Sequence, residues 1–174
     1  MTDDTRPEAG EPVAARIMSV VHQALDEHGY RYLPLPSGAI TLSIRDARGT
    51  YTMYVVADEA LAWLRVLLSF GSRVPASRRS DVAEAIARIN YELYHGGFDL
   101  DFADGELRYR QTIDVEDGLL STTMVDNIIG YALHATEKYH VPIMQVAFGD
   151  VDPQIALVMS ATVPTVAHDE EQDA

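Results

Sequence analysis

The segment from residue 98 to 113 carries the pattern that most constrains the fold. Apolar residues alternate with polar ones on both sides of Asp104-Gly105, at Phe98, Leu100, Phe102, Leu107, Tyr109 and Ile113. A period of two is typical of a strand with one buried face, and Asp-Gly between two such runs is a strong signal for a tight hairpin turn. The segment therefore predicts a β-hairpin centred on Asp104-Gly105, and with it an antiparallel sheet.

The register of this hairpin follows from its expected centre. It sets two ion pairs on one face and two apolar pairs on the other, with Asp99 opposite Arg110, Asp101 opposite Arg108, Phe102 opposite Leu107 and Leu100 opposite Tyr109. One register then satisfies both faces. The neighbouring acids are therefore interpreted as cross-strand partners rather than as ligands of a divalent cation.

Helical and strand patterns surround this hairpin. Apolar residues recur at helical spacing in residues 12–28, in 75–94 and after an N-cap at Ser121 or Thr122, where the helix is expected to stop at Pro142. Residues 143–148 suggest further helical turns, and Asp152-Pro153 suggests the start of a last short helix. Strand-like alternation from Ile40 to Arg45 and from Tyr51 to Val55, around the turn at residues 46–49, predicts another hairpin.

Residues 58–70 allow two interpretations. Glu59, Leu61 and Leu64 are good helix formers, whereas Trp63 and Val66 suit a strand. Intrinsic propensity alone favours a helix in this segment.

Three motifs resemble the YbjN-like family of bacterial proteins: Arg-Ile-Asn-Tyr at residues 88–91, Gly-Phe-Asp-Leu-Asp-Phe-Ala-Asp-Gly-Glu-Leu-Arg-Tyr-Arg at 97–110, and Phe-Gly-Asp at 148–150. The resemblance spans about residues 12 to 158. It implies a role in sensory transduction regulation and a fold similar to that of the dimeric chaperones of type III secretion, which hold partly unfolded client segments. It also implies that residues 61–69 form the third strand.

The expected fold class is therefore α+β. We expect a two-layer sandwich in which helices cover one face of a five-stranded antiparallel sheet, with element order α-β-β-β-α-β-β-α, in a secretion-chaperone-like arrangement. A homodimer is expected by the same resemblance. Residues 12–160 should form this single domain, between acidic and disordered tails at residues 1–11 and 161–174.

Charge and composition narrow the classes of partner. The chain has 27 Asp and Glu against 13 Lys and Arg, a formal net charge of -14. Nucleic acids and anionic membranes are bound through clustered basic residues, so neither is an expected partner. No signal-like or membrane-spanning segment is recognised, and a cytoplasmic location is expected. The absence of cysteine excludes thiolate catalysis and Cys-based metal sites.

Catalytic and metal-binding patterns are not found in the sequence. The six histidines include no pair at i,i+4, and there is no Gly-x-Ser-x-Gly elbow or phosphate-binding loop. Asp150 and Asp152 are interpreted as residues between the end of one helix and the start of the next, rather than as calcium ligands. Asn90 is interpreted as a buried or hairpin-capping amide. We therefore expect no enzyme activity, no cofactor and no metal.

A candidate binding face follows from the side-chain alternation in the two expected strands at residues 51–57 and 61–69. If Ala57 pairs with Ala62, residues such as Met53 and Val66 face the helices, and the opposite face carries an aromatic and aliphatic patch of Tyr54, Val56, Trp63 and Leu67. Such a patch has the composition of a protein interface. The alternative is that the apolar segment Ile155 to Val163 covers it.

The function expected from these features is a non-enzymatic protein-binding or regulatory module, chaperone-like toward a partner protein of unknown identity. The alternative is an acidic small-molecule or ion sensor domain in bacterial signalling. An enzyme built from scattered carboxylates ranks third.

Overall fold

In the computed structural model of the protein, residues 12–46, 48–115 and 119–160 are described. Outside these ranges lie both expected tails, at residues 1–11 and 161–174, the turn residue Ala47, and residues 116–118 with the acids Glu116 and Asp117. The described elements are α1 (Val13–Glu27), β1 (Leu33–Pro34), β2 (Ile40–Arg45), β3 (Thr50–Asp58), β4 (Trp63–Arg73), α2 (Arg79–Glu92, preceded by a 3-10 turn at Ala76–Arg78), β5 (Gly97–Leu100), β6 (Glu106–Asp114), α3 (Thr122–Phe148) and α4 (Pro153–Ser160).

The strands form one antiparallel sheet in the order β1-β2-β3-β4-β6-β5. The α+β class and the sandwich with helices on an antiparallel sheet are confirmed, but the sheet has six strands rather than five. The additional strand is β1, in which Leu33 and Pro34 pair with Thr41 and Ile40. It was missed because two residues next to prolines carry no alternating pattern.

β4 shows that burial overrides helix propensity here. Its residues Leu64, Val66 and Leu68 are fully buried, and the strand pairs with β3 on one side and β6 on the other. The propensity-based prediction of a helix is wrong, whereas the strand implied by the family resemblance is confirmed. Strand pairing on both sides and the burial of alternate side chains stabilise the strand. Together they outweigh the difference in intrinsic propensity, which is less than about 1 kcal/mol per residue.

The register of β3 and β4 differs from the predicted one by two residues. Ala57 pairs with Leu64 instead of Ala62, because a turn at residues 59–62 lies between the strands. Asp58 shapes this turn by accepting hydrogen bonds from the backbone N–H groups of Ala60 and Leu61, both at 3.0 Å. A shift of two residues keeps each side chain on its predicted face.

The hairpin of β5 and β6 is also displaced by two residues from its predicted register. Asp99 lies opposite Arg108 and Leu100 opposite Leu107, so Asp101 has no cross-strand partner in the ladder and Phe102 is exposed. The cause is a five-residue turn: Asp101 is its first residue, and its side chain accepts a hydrogen bond from Ala103 N at 2.7 Å. The predicted pairing of Asp101 with Arg108, and both predicted apolar pairs, are therefore wrong.

The helices α1, α2 and α3 pack against one face of the sheet and enclose a single core. Ile17, Val21 and Leu25 of α1 contribute to it, as do the inward residues of the central strands. The N-terminus of α1 lacks a capping side chain of its own. Glu59 from the turn between β3 and β4 replaces it by accepting hydrogen bonds from Val13 N at 3.1 Å and Ala14 N at 2.7 Å.

α3 continues through Pro142, where the sequence predicted a stop. The helix runs from its N-cap Ser121, whose side chain accepts from Met124 N, to Phe148, and Pro142 is buried within it. A proline inside a helix loses one backbone hydrogen bond and clashes with the preceding turn. The burial of Ile143 and Val146 on the same helix supplies the packing that offsets this cost.

Asn90 connects α2 to the free edge of the sheet. Its side chain donates to Phe98 O at 3.0 Å and accepts from Phe98 N at 2.8 Å, so it satisfies both backbone groups that β5 turns away from β6. The prediction of a hairpin-capping amide is confirmed. The predicted start of the last helix is confirmed too, because Asp152 accepts a hydrogen bond from Gln154 N at 2.8 Å.

Candidate functional site

The candidate site lies on the sheet face opposite the helices. Tyr54 and Val56 of β3, and Trp63 and Leu67 of β4, all point to this face and are half-buried. We call these four residues the outer-face patch. The structure brings them together on two adjacent strands, with Tyr54 directly opposite Leu67.

Arg65 lies within the outer-face patch, between Trp63 and Leu67 on the same face of β4. Its guanidinium carbon is 6.0 Å from the centre of the Trp63 ring, and it lies opposite Val56. Its Nε is buried and has no hydrogen-bond partner, and no carboxylate of the described residues forms an ion pair with it. The patch therefore combines apolar surface with one positive charge that forms no ion pair with a described carboxylate, although Asp58 and Asp114 lie on the same face, opposite Trp63.

An acid–base cluster borders the patch on the β6 side. Asp99 accepts from Arg110 Nε at 2.8 Å and from Arg108 Nε at 3.4 Å, so the predicted pair of Asp99 with Arg110 is present although the register differs. Burial alone would raise the pKa of Asp99, but the hydrogen bond and charge of Arg110, assisted by Arg108, lower it below its usual value. The hydrogen bond from Asp99 raises the pKa of Arg110.

The alternative in which residues 155–163 cover the patch is wrong for the part of this segment that the structure describes. α4 packs on α2 and α3, and Ala156 is buried in the core on the helical side of the sheet. Within residues 12–46, 48–115 and 119–160, no helix covers the outer face. Residues 161–163 lie outside these ranges.

Several acidic residues of the described segments have structural partners. Asp104 pairs with Arg73 at 3.1 Å, and Asp150 pairs with Arg78 at 3.1 Å. Arg78 also donates to Val146 O and Val151 O, at the end of α3. In the described part of the chain, no group of three or more His, Asp or Glu side chains is arranged to hold a metal ion.

The sequence pattern placed Arg65 on the outer face, but the predicted site did not include this residue. Its alternation with Trp63 and Leu67 was the available signal, because residues two apart on a strand share a face. Tyr131, His134 and Lys138 were overlooked too. They share one face of α3 at helical spacing and line a cleft on the helical side.

The six-stranded sheet with helices on one face and an open apolar patch on the other defines an α+β protein with a secretion-chaperone-like fold. The chain belongs to the YbjN family, whose model, described as "Putative bacterial sensory transduction regulator", matches residues 18–140.

Two solved structures show the same fold. One is YbjN from E. coli, with a TM-score of 0.52, 13% identity, and coverage of 76% of this chain and 89% of that one. The other is a chain of the HopA1-SchA chaperone–effector complex, with a TM-score of 0.50, 14% identity, and coverage of 71% and 91%. No curated protein matches the chain in sequence. None of the described helices is long and apolar enough to cross a membrane.

Proposed function

We propose that the protein is a non-enzymatic, regulatory protein-binding module that holds a partner polypeptide on the outer face of its sheet. The observation that carries this proposal is the outer-face patch itself: two aromatic and two aliphatic side chains lie together on a face that no described helix covers. Tyr and Trp are the residues that most often anchor protein interfaces, because they bury a large area at low entropic cost.

The unpaired charge of Arg65 specifies the chemistry of the partner. A guanidinium in an apolar patch is costly to cover unless the partner offers it a carboxylate or a carbonyl oxygen. The segment bound here should therefore combine apolar side chains with an acidic one placed to meet Arg65. The likeness to a chain of a chaperone–effector complex supports a chaperone-like mode, in which the client is an extended or partly unfolded segment.

Edge pairing is a less suitable mode of binding for this sheet. Pro34 occupies one edge strand, and Asn90 satisfies the free backbone groups of Phe98 on the other. Both devices reduce the capacity of an edge to pair with a foreign strand. The face of the sheet is then the better surface for a partner.

The test is the double substitution Trp63→Asp with Leu67→Asp. Wild type and variant are used as bait in the native lysate, and their oligomeric state is measured by light scattering. Tyr91→Asp with Phe148→Asp is the matched control, because both side chains are exposed in the helical layer. We expect a folded double variant, by circular dichroism, that loses a bound protein which the control retains. A milder pair, Trp63→Gln with Leu67→Gln, replaces the variant if the aspartates unfold it.

Trp63 also reports on the site directly, because it is the single tryptophan of the chain. In the isolated protein, acrylamide should quench its fluorescence, and the captured partner should protect it. A partner that binds the Trp63 and Leu67 variants as well as wild type would exclude the outer face. A wild-type dimer that becomes monomeric in the double variant would assign the face to a second copy of the chain. Homodimerisation stays a prediction until this measurement, and so does a cytoplasmic location.

A further inference from the structure

A second candidate site lies on the helical side of the sheet, away from the outer-face patch. It is a cleft of about 240 Å³ between the C-terminal end of α2, the loop at residues 93–96 and α3. One face of α3 supplies Tyr131, His134, Ala135 and Lys138, at the i, i+3, i+4 and i+7 spacing that aligns side chains along a helix.

The floor of the cleft is aromatic and buried. Tyr109 and Tyr139 are buried, and the hydroxyl of Tyr109 donates to the carbonyl oxygen of His95 at 2.6 Å. Burial raises the pKa of Tyr109 to about 12, so this hydroxyl keeps its proton and its hydrogen bond at neutral pH. Gly96 follows with a φ of 62°, and a Cβ at this position would collide with the Tyr109 hydroxyl. The loop is therefore held in one place over the floor.

Aromatic rings also form the walls. The ring of His95 stacks on that of Tyr131, with centroids 4.4 Å apart and an interplanar angle of 21°. Tyr94, in the same loop, has 97% of its surface exposed, and so contributes a ring face that a ligand can cover. A cleft lined by several aromatic rings favours a planar ligand, because offset and edge-to-face ring contacts stabilise it beyond simple burial.

Lys138 gives the cleft its charge. It is the only lysine of a chain whose net charge is -14. Its ammonium group lies 5.1 Å from the centre of the Tyr139 ring, and no carboxylate of the described residues forms an ion pair with it. Glu92, the one acid lining the cleft, is therefore not its partner. An ammonium beside apolar rings, without a counter-ion, is suited to an anionic group of a ligand.

We propose that this cleft binds a small aromatic carboxylate, with the ring between Tyr94 and Tyr131 and the carboxylate at Lys138. The cleft is smaller than the roughly 300–1,000 Å³ of sites for drug-sized ligands, so it suits one ring or two fused rings. The proposal does not depend on the outer-face patch, and either site can fail without the other.

Indole-3-acetate is the probe, and ligand-observed NMR measures its Kd. Indole-3-acetamide has the same shape without the charge, and cyclohexylacetate has the charge without the aromatic ring. We expect both to bind wild type about tenfold more weakly than the acid, since a hydrogen bond to a charged group or a lost ring contact is worth about that much.

Lys138→Gln is the decisive variant, and Arg88→Gln, on the exposed side of α2, is its control. Lys138→Gln should raise the Kd of the acid about tenfold, leave that of the amide within about twofold, and keep the unfolding midpoint. Arg88→Gln should leave the Kd of the acid and of the amide unchanged. Equal binding of acid and amide to wild type, an unchanged Kd in Lys138→Gln, or no binding of the acid at millimolar concentration would each overturn the proposal.

Discussion

At the scale of single residues, short acidic side chains decide where the strands pair. Asp58 and Asp101 each accept hydrogen bonds from backbone N–H groups two or three residues ahead, and each thereby lengthens its turn. Both registers move by two residues as a result. Because aspartate competes locally for backbone donors, its position in a turn matters more than the Asp-Gly pair that follows it.

Asp99 is the residue whose charge should matter most at the edge of the outer face. Its folded-state pKa lies below the usual value of 3.8, so its contribution to stability is fully present above that pH and is lost as the pH falls through the folded-state pKa. Asp99→Asn should lower the free energy of unfolding by about 1 kcal/mol or less at pH 7, because the pair is partly exposed. Urea unfolding at pH 7, 5 and 3 measures this.

The difference between Asp99→Asn and wild type should shrink between pH 5 and pH 3. Glu92→Gln, at an exposed position without an ion pair, is the control and should change stability little at any of these pH values. A difference that persists undiminished at pH 3 would mean that Asp99 acts through packing rather than through its charge.

At the scale of elements, tertiary contacts outweigh local preference in two places. β4 is a strand despite its helix formers because it lies between two partner strands and buries alternate side chains. α3 passes through Pro142 because buried residues follow the proline on the same helix. In both segments the sequence signal is local, whereas the deciding contacts come from residues distant in the chain.

Asn90 offers a test of how α2 holds the edge of the sheet. Asn90→Ala leaves the N–H and C=O of the buried residue Phe98 without partners, and should lower the free energy of unfolding by about 1–3 kcal/mol. Amide hydrogen exchange at Phe98 should accelerate more than at Arg108, which lies opposite Asp99 at a position whose N–H faces β5. Arg88→Ala, exposed on the same helix, should cost about 0.5 kcal/mol or less. If Asn90→Ala also lowers the free energy of unfolding by only about 0.5 kcal/mol, the amide side chain is not needed to hold β5.

At the scale of the whole molecule, the protein has one core and two unlike faces. The helical face encloses the core and carries the cleft at Lys138, and the opposite face carries the outer-face patch. Among the described residues, the buried core extends from Ile17 to Ala156. The sequence at the two ends of the chain is acidic and polar.

Removal of residues 1–10 and 167–174 should therefore leave the fold intact. These segments contain few apolar residues and cannot bury enough surface to offset the entropy of ordering them. The unfolding midpoint of the shortened protein should stay within about 2 °C of wild type, since a shift of 1 kcal/mol corresponds to about 2–4 °C at this chain length. A larger fall, measured by calorimetry, would reveal that one end is docked on the domain.

The sequence by itself determined the amphipathic helices, both hairpins, the caps at Ser121 and Asp152, and the two faces of the sheet. These depend on periodicity and on hydrogen bonds between near neighbours, which a linear pattern contains. Only the tertiary structure decided the registers, the sixth strand, the strand state of β4, the length of α3 and the cleft at Lys138. Each of these depends on which distant segments meet, and that is set by the burial of the whole core rather than by any local preference.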